Sequence, residues 1–496
     1  MFALIAISFL LIYYLTTCIH AWSQLRGFPG PFLASFSFLW LFRVALSNKA
    51  FRIHMGVRKW YGKGLIRVAP DTLITDDPDV FRRINGAHNG YCKGDWYAVM
   101  RLDPYQHSMI STPDTAFHDD IKARVAAGYS GREVPSMEKD IDEQIGELKA
   151  LIEREYLSTE KAVEPMDWGL VAQYFTLDSL TRVAFGEALG YLETNSDVHE
   201  YIQTMEDSGI YFALCSDVPW LGRVFLSKFV LGLLGPSVKD RKGLGVIMGV
   251  AKRIVGARFE GEGMNQQDML GSFTRHGLLQ RQCEAELLAL LVAGSDTTAN
   301  LLRVALFFIA TTPRVYRKLQ AEIDEGIASG MMSNPVTGAQ GKNLRYLQAF
   351  LSECLRFNPP VSLLFPKVVP SEGDTLEGRF IPGGTKIATD FWSMGRRADI
   401  FGEDVSVFRP ERFLEASPAK RTVMEKTTDL MFGYGRYMCP GKTMAWLEMN
   451  KLFVELLRDF EFQLVDPERP FTRSHRALFV IRNMQICVTK REIEGR

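Results

Sequence analysis

The chain has 496 residues, 47% hydrophobic and 23% charged, long enough to bury a large core. Its 58 basic and 58 acidic residues balance, so no overall field argues for nucleic acid as a partner. The seven cysteines, Cys18, Cys92, Cys215, Cys283, Cys354, Cys439 and Cys487, are odd in number and contain no CxxC pair, which argues against a disulfide framework or a zinc site.

Residues 1–25 carry no charge and are mostly apolar. About 20 helical residues span a hydrocarbon core, and neither a basic leader nor a small-residue cleavage site is present. The segment reads as a transmembrane signal anchor rather than a cleaved signal. Arg26 alone is basic at its end, thin support for orientation. Residues 26–31, with Gly27-Phe28-Pro29-Gly30-Pro31, form a Pro/Gly hinge. Residues 32–496 show no repeat, low-complexity tract or linker, and read as one domain.

Helical patterns dominate that domain, over 141–155, 170–184, 281–312, 313–328 and 344–357. Strand signals are short: a hairpin over 65–68 and 73–75, then 386–389 and 478–481. The fold class is mainly α with small β-sheets.

Three segments carry chemistry. Ala293-Gly294-Ser295-Asp296-Thr297-Thr298 interrupts an apolar helix. A glycine followed by hydroxyls can bend a helix and free a carbonyl, and an acid beside an alcohol can relay protons into a dry pocket. The same residues could be a polar defect in a core helix. Glu353 and Arg356 share one helix face, as an ordinary surface ion pair also would. Phe432-Gly433-Tyr434-Gly435-Arg436-Tyr437-Met438-Cys439-Pro440-Gly441 places a cysteine between a glycine-rich turn and a helix from Lys442. A helix N-terminus lowers a thiol pKa and suits a thiolate ligand; a loop cysteine without function has the same local pattern.

Taken together, these segments resemble cytochromes P450. The cysteine loop has that family's spacing: Phe, two residues, Gly, three residues, Cys, one residue, Gly. Upstream, in the family's order, stand Ala-Gly-x-Asp-Thr, Glu-x-x-Arg, and Phe408-Arg409-Pro410-Glu411-Arg412-Phe413. The likeness runs from the hinge to the C-terminus and is strongest to fungal microsomal members similar to pisatin demethylase.

The resemblance implies the P450 fold, with heme b between the Asp296 helix and the Cys439 loop. Cys439 is then the iron ligand, Asp296 and Thr297 the proton-relay pair, and Glu353, Arg356 and Arg412 a structural network. Phe432, Gly435, Arg436 and Gly441 belong to the cofactor loop. Where many members carry a basic residue two before the cysteine, this chain has Tyr437, with Arg436 one place earlier. His118 and Lys122 stand where a Trp-x-x-x-Arg pair is common, and Lys367 is a further candidate donor to the heme propionates.

No dinucleotide fingerprint is visible, so the implied electron source is NADPH through a separate NADPH–cytochrome P450 reductase. The implied reaction inserts one atom of O₂ into a lipophilic small molecule, in fungal secondary metabolism or detoxification, at the endoplasmic reticulum membrane with the catalytic domain cytosolic. A reductase-independent isomerase or dehydratase is the alternative, and a non-catalytic heme-binding protein a third class. Substrate walls are expected from 95–111, 210–225, 287–291, 361–365 and 477–480, rich in apolar side chains.

Overall fold

The computed structural model describes residues 2–261, 266–361, 363–475 and 479–492. Helices make up most of it, and the longest, Gln280–Thr311, runs through the core. Pro313–Ala328 has the bounds read from the sequence, and the expected helices at 141–155, 170–184 and 344–357 are Met137–Leu151, Trp168–Phe185 and Arg345–Phe357. A π turn, Ile152–Tyr156, completes the first of these.

Trp168–Phe185 is buried on nearly every side because it lies against the central helix. The two are cross-bonded: Trp168 Nε1 donates to Leu302 O at 3.2 Å, Thr176 Oγ1 to Ser295 O at 3.1 Å, and Arg303 Nε to Gly169 O at 2.9 Å. Gly294 permits this approach, since a Cβ there would stand 2.9 Å from Leu180. The helix is continuous through Gly294, and Thr297 Oγ1 donates back to Ala293 O at 2.7 Å.

The main sheet has five strands, in the order Ile66–Ala69, Thr72–Thr75, Lys386–Thr389, Lys367–Val368, Cys92–Lys93. The expected hairpin forms its edge, Thr72–Thr75 runs parallel to Lys386–Thr389, and the last pairing sets Lys93 directly opposite Lys367. A three-stranded sheet joins Met166–Asp167, Gln485–Lys490 and Phe460–Leu464. The strand expected at 478–481 is Phe479–Arg482; its expected first residue, 478, lies outside the described residues.

Residues 2–24 form a helix. Gln280–Thr311 is long and apolar enough by the usual hydropathy test to cross a membrane, but it is largely buried in the core. The Pro/Gly segment is non-helical, as expected, but it is docked rather than free. Arg67, 1% exposed, donates to Ala21 O and Trp22 O at the end of the first helix, and its backbone N–H donates to Pro29 O at 2.7 Å. Gly30 allows the contact, because a Cβ there would fall 2.1 Å from Arg67 O.

Glu353 and Arg356, both 0% exposed, are not a surface pair. Arg356 Nε and Nη2 each reach a Glu353 carboxylate oxygen at 2.7 Å, and Arg412 Nε lies 3.1 Å from both oxygens. The arginines then fasten the following loops. Arg356 Nη1 donates to Gly395 O at 2.8 Å and Val405 O at 3.0 Å; Arg412 Nη1 donates to Phe401 O at 2.6 Å and Asp404 Oδ1 at 2.8 Å. The Arg409 N–H gives Glu353 a further bond, at 2.8 Å. Phe408, beside it, stacks on Phe308 of the central helix at 3.7 Å.

Removing the shared acid strands two buried guanidiniums. Glu353→Ala should therefore destabilise the fold by about 3–5 kcal/mol, read as a lowered denaturant midpoint and poor yield of folded protein. A midpoint equal to the parent's would show that the network contributes nothing.

Candidate active site

Two adjoining cavities, of about 300 and 350 Å³, lie beneath the central helix. Both are walled by Ile110, Ala289, Ala293, Thr297, Val361 and Phe365. Cys439, Phe432 and Gly441 line the first cavity, opposite the Ala293–Thr298 stretch; Asp296 lines the second.

The Cys439 loop is shaped by local backbone constraints. Gly433 sits at φ +81°, where a Cβ would meet Tyr437 O at 2.7 Å, and the Cys439 N–H donates to Phe432 O at 2.6 Å. Gly441 caps the helix Lys442–Asp459. Cys439 has open surface, on the cavity that it lines. Burial pushes its thiol pKa up, while the N–H groups of Gly441 and Lys442 and the charges of Lys122 and Lys442 pull it back. In the polypeptide alone, burial outweighs the helix end, contrary to the expectation of a lowered pKa.

One edge of the first cavity is cationic. Lys93, Lys122, Lys367 and His118 all line it. Their hydrogen bonds go to neutral groups: Lys93 Nζ to Met109 O and Ile110 O at 2.8 and 2.9 Å, Lys367 Nζ to Tyr97 Oη at 2.5 Å, Lys122 Nζ to Arg436 O at 2.5 Å. His118 is the exception, with Nδ1 2.9 Å from Asp119 Oδ1. Burial and then the neighbouring Lys93 push Lys367 well below the usual lysine range; burial brings Lys93 to about 7, against the pull of Glu286. Burial, then Lys93, lowers His118 to about 4. Like charges facing each other across a strand pair are destabilising unless something anionic joins them.

The second cavity carries the carboxyls of Asp296 and Glu206. Asp296 accepts from Gln173 Nε2 at 2.5 Å, and burial raises its carboxyl to about 6 against the pull of Arg303 and Arg482. Two residues assigned to the cofactor loop stand off the cavity. Arg436 pairs with Asp119, Nε to Oδ2 at 3.2 Å, and neither it nor Gly435 lines the wall. Gly435 instead allows close approach to Asn85, whose carbonyl a Cβ would meet at 2.6 Å.

The expected substrate walls are largely present, with one shift. In place of a wall over 210–225, the helix Tyr201–Asp217 supplies Ile202, Met205, Glu206, Asp207 and Gly209, and only Phe212 falls within the expected segment. Val480 lines the second cavity, while the expected 477 and 478 lie outside the described residues. Sequence reasoning missed Lys93 and Gln173, whose significance depends on partners far away in the chain.

The cytochrome P450 family profile matches residues 29–488, and the chain belongs to that family. It is 42% identical over 487 residues to cytochrome P450 monooxygenase ABA1 of Pyricularia oryzae, covering 97% of this chain and 95% of the relative. It is 41% identical to aba1 of Botryotinia fuckeliana, over 94% of this chain and 92% of that one, and 36% identical to abl1 of Leptosphaeria maculans, over 94% and 83%. The protein is thus an oxidoreductase of the P450 monooxygenase class, with fungal relatives, and the class works with a heme iron and electrons from a reductase.

The residues present fit such a group. A thiol faces an apolar chamber, and a cluster of buried amines at one edge suits the two carboxylates of a heme. Lys367→Met removes one of those amines without adding bulk. Heme retained per chain after gel filtration should fall several-fold, while the folded fraction stays near that of the parent. Undiminished retention would exclude Lys367 as an anchor.

Proposed function

We propose that this protein is a membrane-anchored heme–thiolate monooxygenase that inserts one atom of O₂ into a lipophilic small molecule, with NADPH-derived electrons delivered by a separate reductase. The observation that carries the reading is that Cys439 and Thr297 line one cavity, while Thr297 and Asp296 line the cavity adjoining it. Heme b, when bound, supplies the redox chemistry toward dioxygen. Cys439 would ligate its iron, and Lys93, Lys122, Lys367 and His118 would bind its carboxylates. Glu353, Arg356 and Arg412 keep the loops ahead of Cys439 in position. Asp296 and Thr297 hold and pass protons at the cavity face of the central helix, where a carboxyl with a pKa of about 6 exchanges readily near neutral pH.

The walls support a lipophilic substrate. Met100, Leu102, Ile202, Met205, Phe212 and Val292 line the second cavity. The acid–alcohol pair favours the monooxygenase over a reductase-independent rearrangement, which needs no proton delivery. Secondary metabolism or detoxification is the fitting context.

The helix Phe2–Gln24 supports the anchor. It is about 35 Å long, carries no charged residue, and exposes Ile12, Tyr13, Leu15, Ile19 and Trp22. The apolar side chains of Trp220, Phe229, Leu233 and Leu234 are also exposed and suit a membrane surface. We place the chain at the endoplasmic reticulum, catalytic domain in the cytosol.

Membranes from cells expressing the chain with a reductase, given NADPH, isotopically heavy dioxygen and a lipophilic extract, should yield a product carrying one heavy oxygen atom. A form beginning at Ala21, which keeps the carbonyl acceptors of Arg67, should shift largely to the soluble fraction with its heme content intact. Product formed without NADPH and reductase, and free of label, would establish the rearrangement instead; a truncated form still wholly in membranes would remove the anchor.

A further inference from the structure

The polar side chains behind Asp296 form a chain that the acid–alcohol pair does not account for. Gln173 lies in the middle of the helix Trp168–Phe185 and is 1% exposed. Its amide oxygen accepts from Arg303 Nη2 at 2.9 Å and Arg482 Nη2 at 2.8 Å. Its amide nitrogen donates to Asp296 Oδ1 at 2.5 Å. Two guanidiniums have no acceptor atom and an ionised carboxylate has no donor, so only this orientation of the amide satisfies all three partners.

The amide is fixed in turn. Arg303, fully buried, and Arg482 each also donate to Gly169 O, at 2.9 Å. Arg482 forms an ion pair with Glu206, which lines the second cavity together with Gln173 and Asp296. Four elements thus converge on one carboxyl: the central helix with Arg303, the helix of Gln173, the strand of Arg482, and the helix Tyr201–Asp217 with Glu206 and Tyr201.

We propose that Gln173 is the positioning residue for Asp296: with its oxygen clamped by Arg303 and Arg482, its N–H ties back Oδ1 and leaves Oδ2 for proton exchange with the cavity. The proposal rests on the role given to Asp296 above. Gln173 touches neither substrate nor cofactor in this scheme and acts through Asp296. It also insulates the acid. A direct guanidinium–carboxylate contact would hold Asp296 ionised, whereas an interposed amide passes on only part of that stabilisation. Burial raises the Asp296 carboxyl to about 6 while Arg303, Arg482 and the Gln173 bond oppose it and Glu206 adds to it. Loss of the Gln173 donor should therefore move the carboxyl further up.

Two variants separate positioning from packing. Gln173→Met keeps the volume and removes every hydrogen bond. Gln173→Asn keeps an uncharged amide whose carbonyl can accept from the arginines, but is one methylene too short for its N–H to hold Asp296. The readout is the carboxyl C=O stretch of Asp296 in pH-difference infrared spectra of the heme-loaded full chain without substrate. The band is assigned by its loss in Asp296→Asn, which separates it from the buried acids Asp217, Glu286 and Glu448, raised to about 7, 7 and 8. The Asp296 midpoint should rise by about one pH unit or more in both variants. A packing role would lower the melting temperature and leave the midpoint where it is, and an unmoved midpoint in Gln173→Asn overturns the proposal whether or not Gln173→Met folds. Failure of the parent to incorporate labelled oxygen would overturn the functional reading instead, and would leave the infrared result standing on its own.

Discussion

One buried carboxylate organises much of this molecule. Glu353 binds two guanidiniums at once, and those guanidiniums hold the carbonyls of Gly395, Phe401, Asp404, Val405 and Val407. Residues 395–412 have little regular structure of their own, and their polar backbone groups need partners once buried. A hydrophobic replacement could fill the same space without specifying where those carbonyls go. Buried charges are costly to desolvate, and their worth here is geometric definition rather than net stability. The loop that presents Cys439 lies downstream of the segments fixed in this way.

The chamber has two polar margins separated by apolar walls. Lys93 and Lys367, set side by side by strand register, make one margin basic, with burial and repulsion from neighbouring lysines holding their charge down. Asp296, Gln173, Arg303, Arg482 and Glu206 make the other a bonded array of mixed charge. The first margin has too few anions for its amines, the arrangement expected of a site for a dianionic group. The second is bonded largely within itself, with Arg303 Nη1 the exception. The space between is lined by Met, Leu, Ile, Val and Phe side chains, which accept an apolar molecule without demanding a fixed hydrogen-bond pattern.

The sequence made the framework legible because its signals are local. Helical periodicity located several long helices to within a few residues, though not Thr115–Tyr129, Tyr201–Asp217 or Leu244–Glu260, and the glycine turn around Cys439, the Glu-x-x-Arg spacing and the Asp296–Thr297 pair are each contained in a few positions. Other features are properties of pairs of distant segments. Gln173 is an ordinary polar residue in an apolar helix until Asp296, Arg303 and Arg482 meet it. Lys93 matters because a sheet register sets it opposite Lys367. Gly294 serves as the contact point for Leu180, a packing relation that helix composition does not encode. Arg436, one place from a position often basic in the family, faces Asp119 across the surface, because Tyr437 takes the inward position beside His118. The substrate wall begins near Ile202 rather than 210, since which turns of an amphipathic helix face a cavity depends on how the helix is docked.

All of these relations converge on the sulfur of Cys439, and ligation is the most direct test. Heme-loaded protein, reduced and exposed to carbon monoxide, should show the strongly red-shifted Soret band of a thiolate-bound iron, and Cys439→Ala should lose it while still folding. The same red-shifted band in Cys439→Ala, or its absence from the parent, would contradict the account.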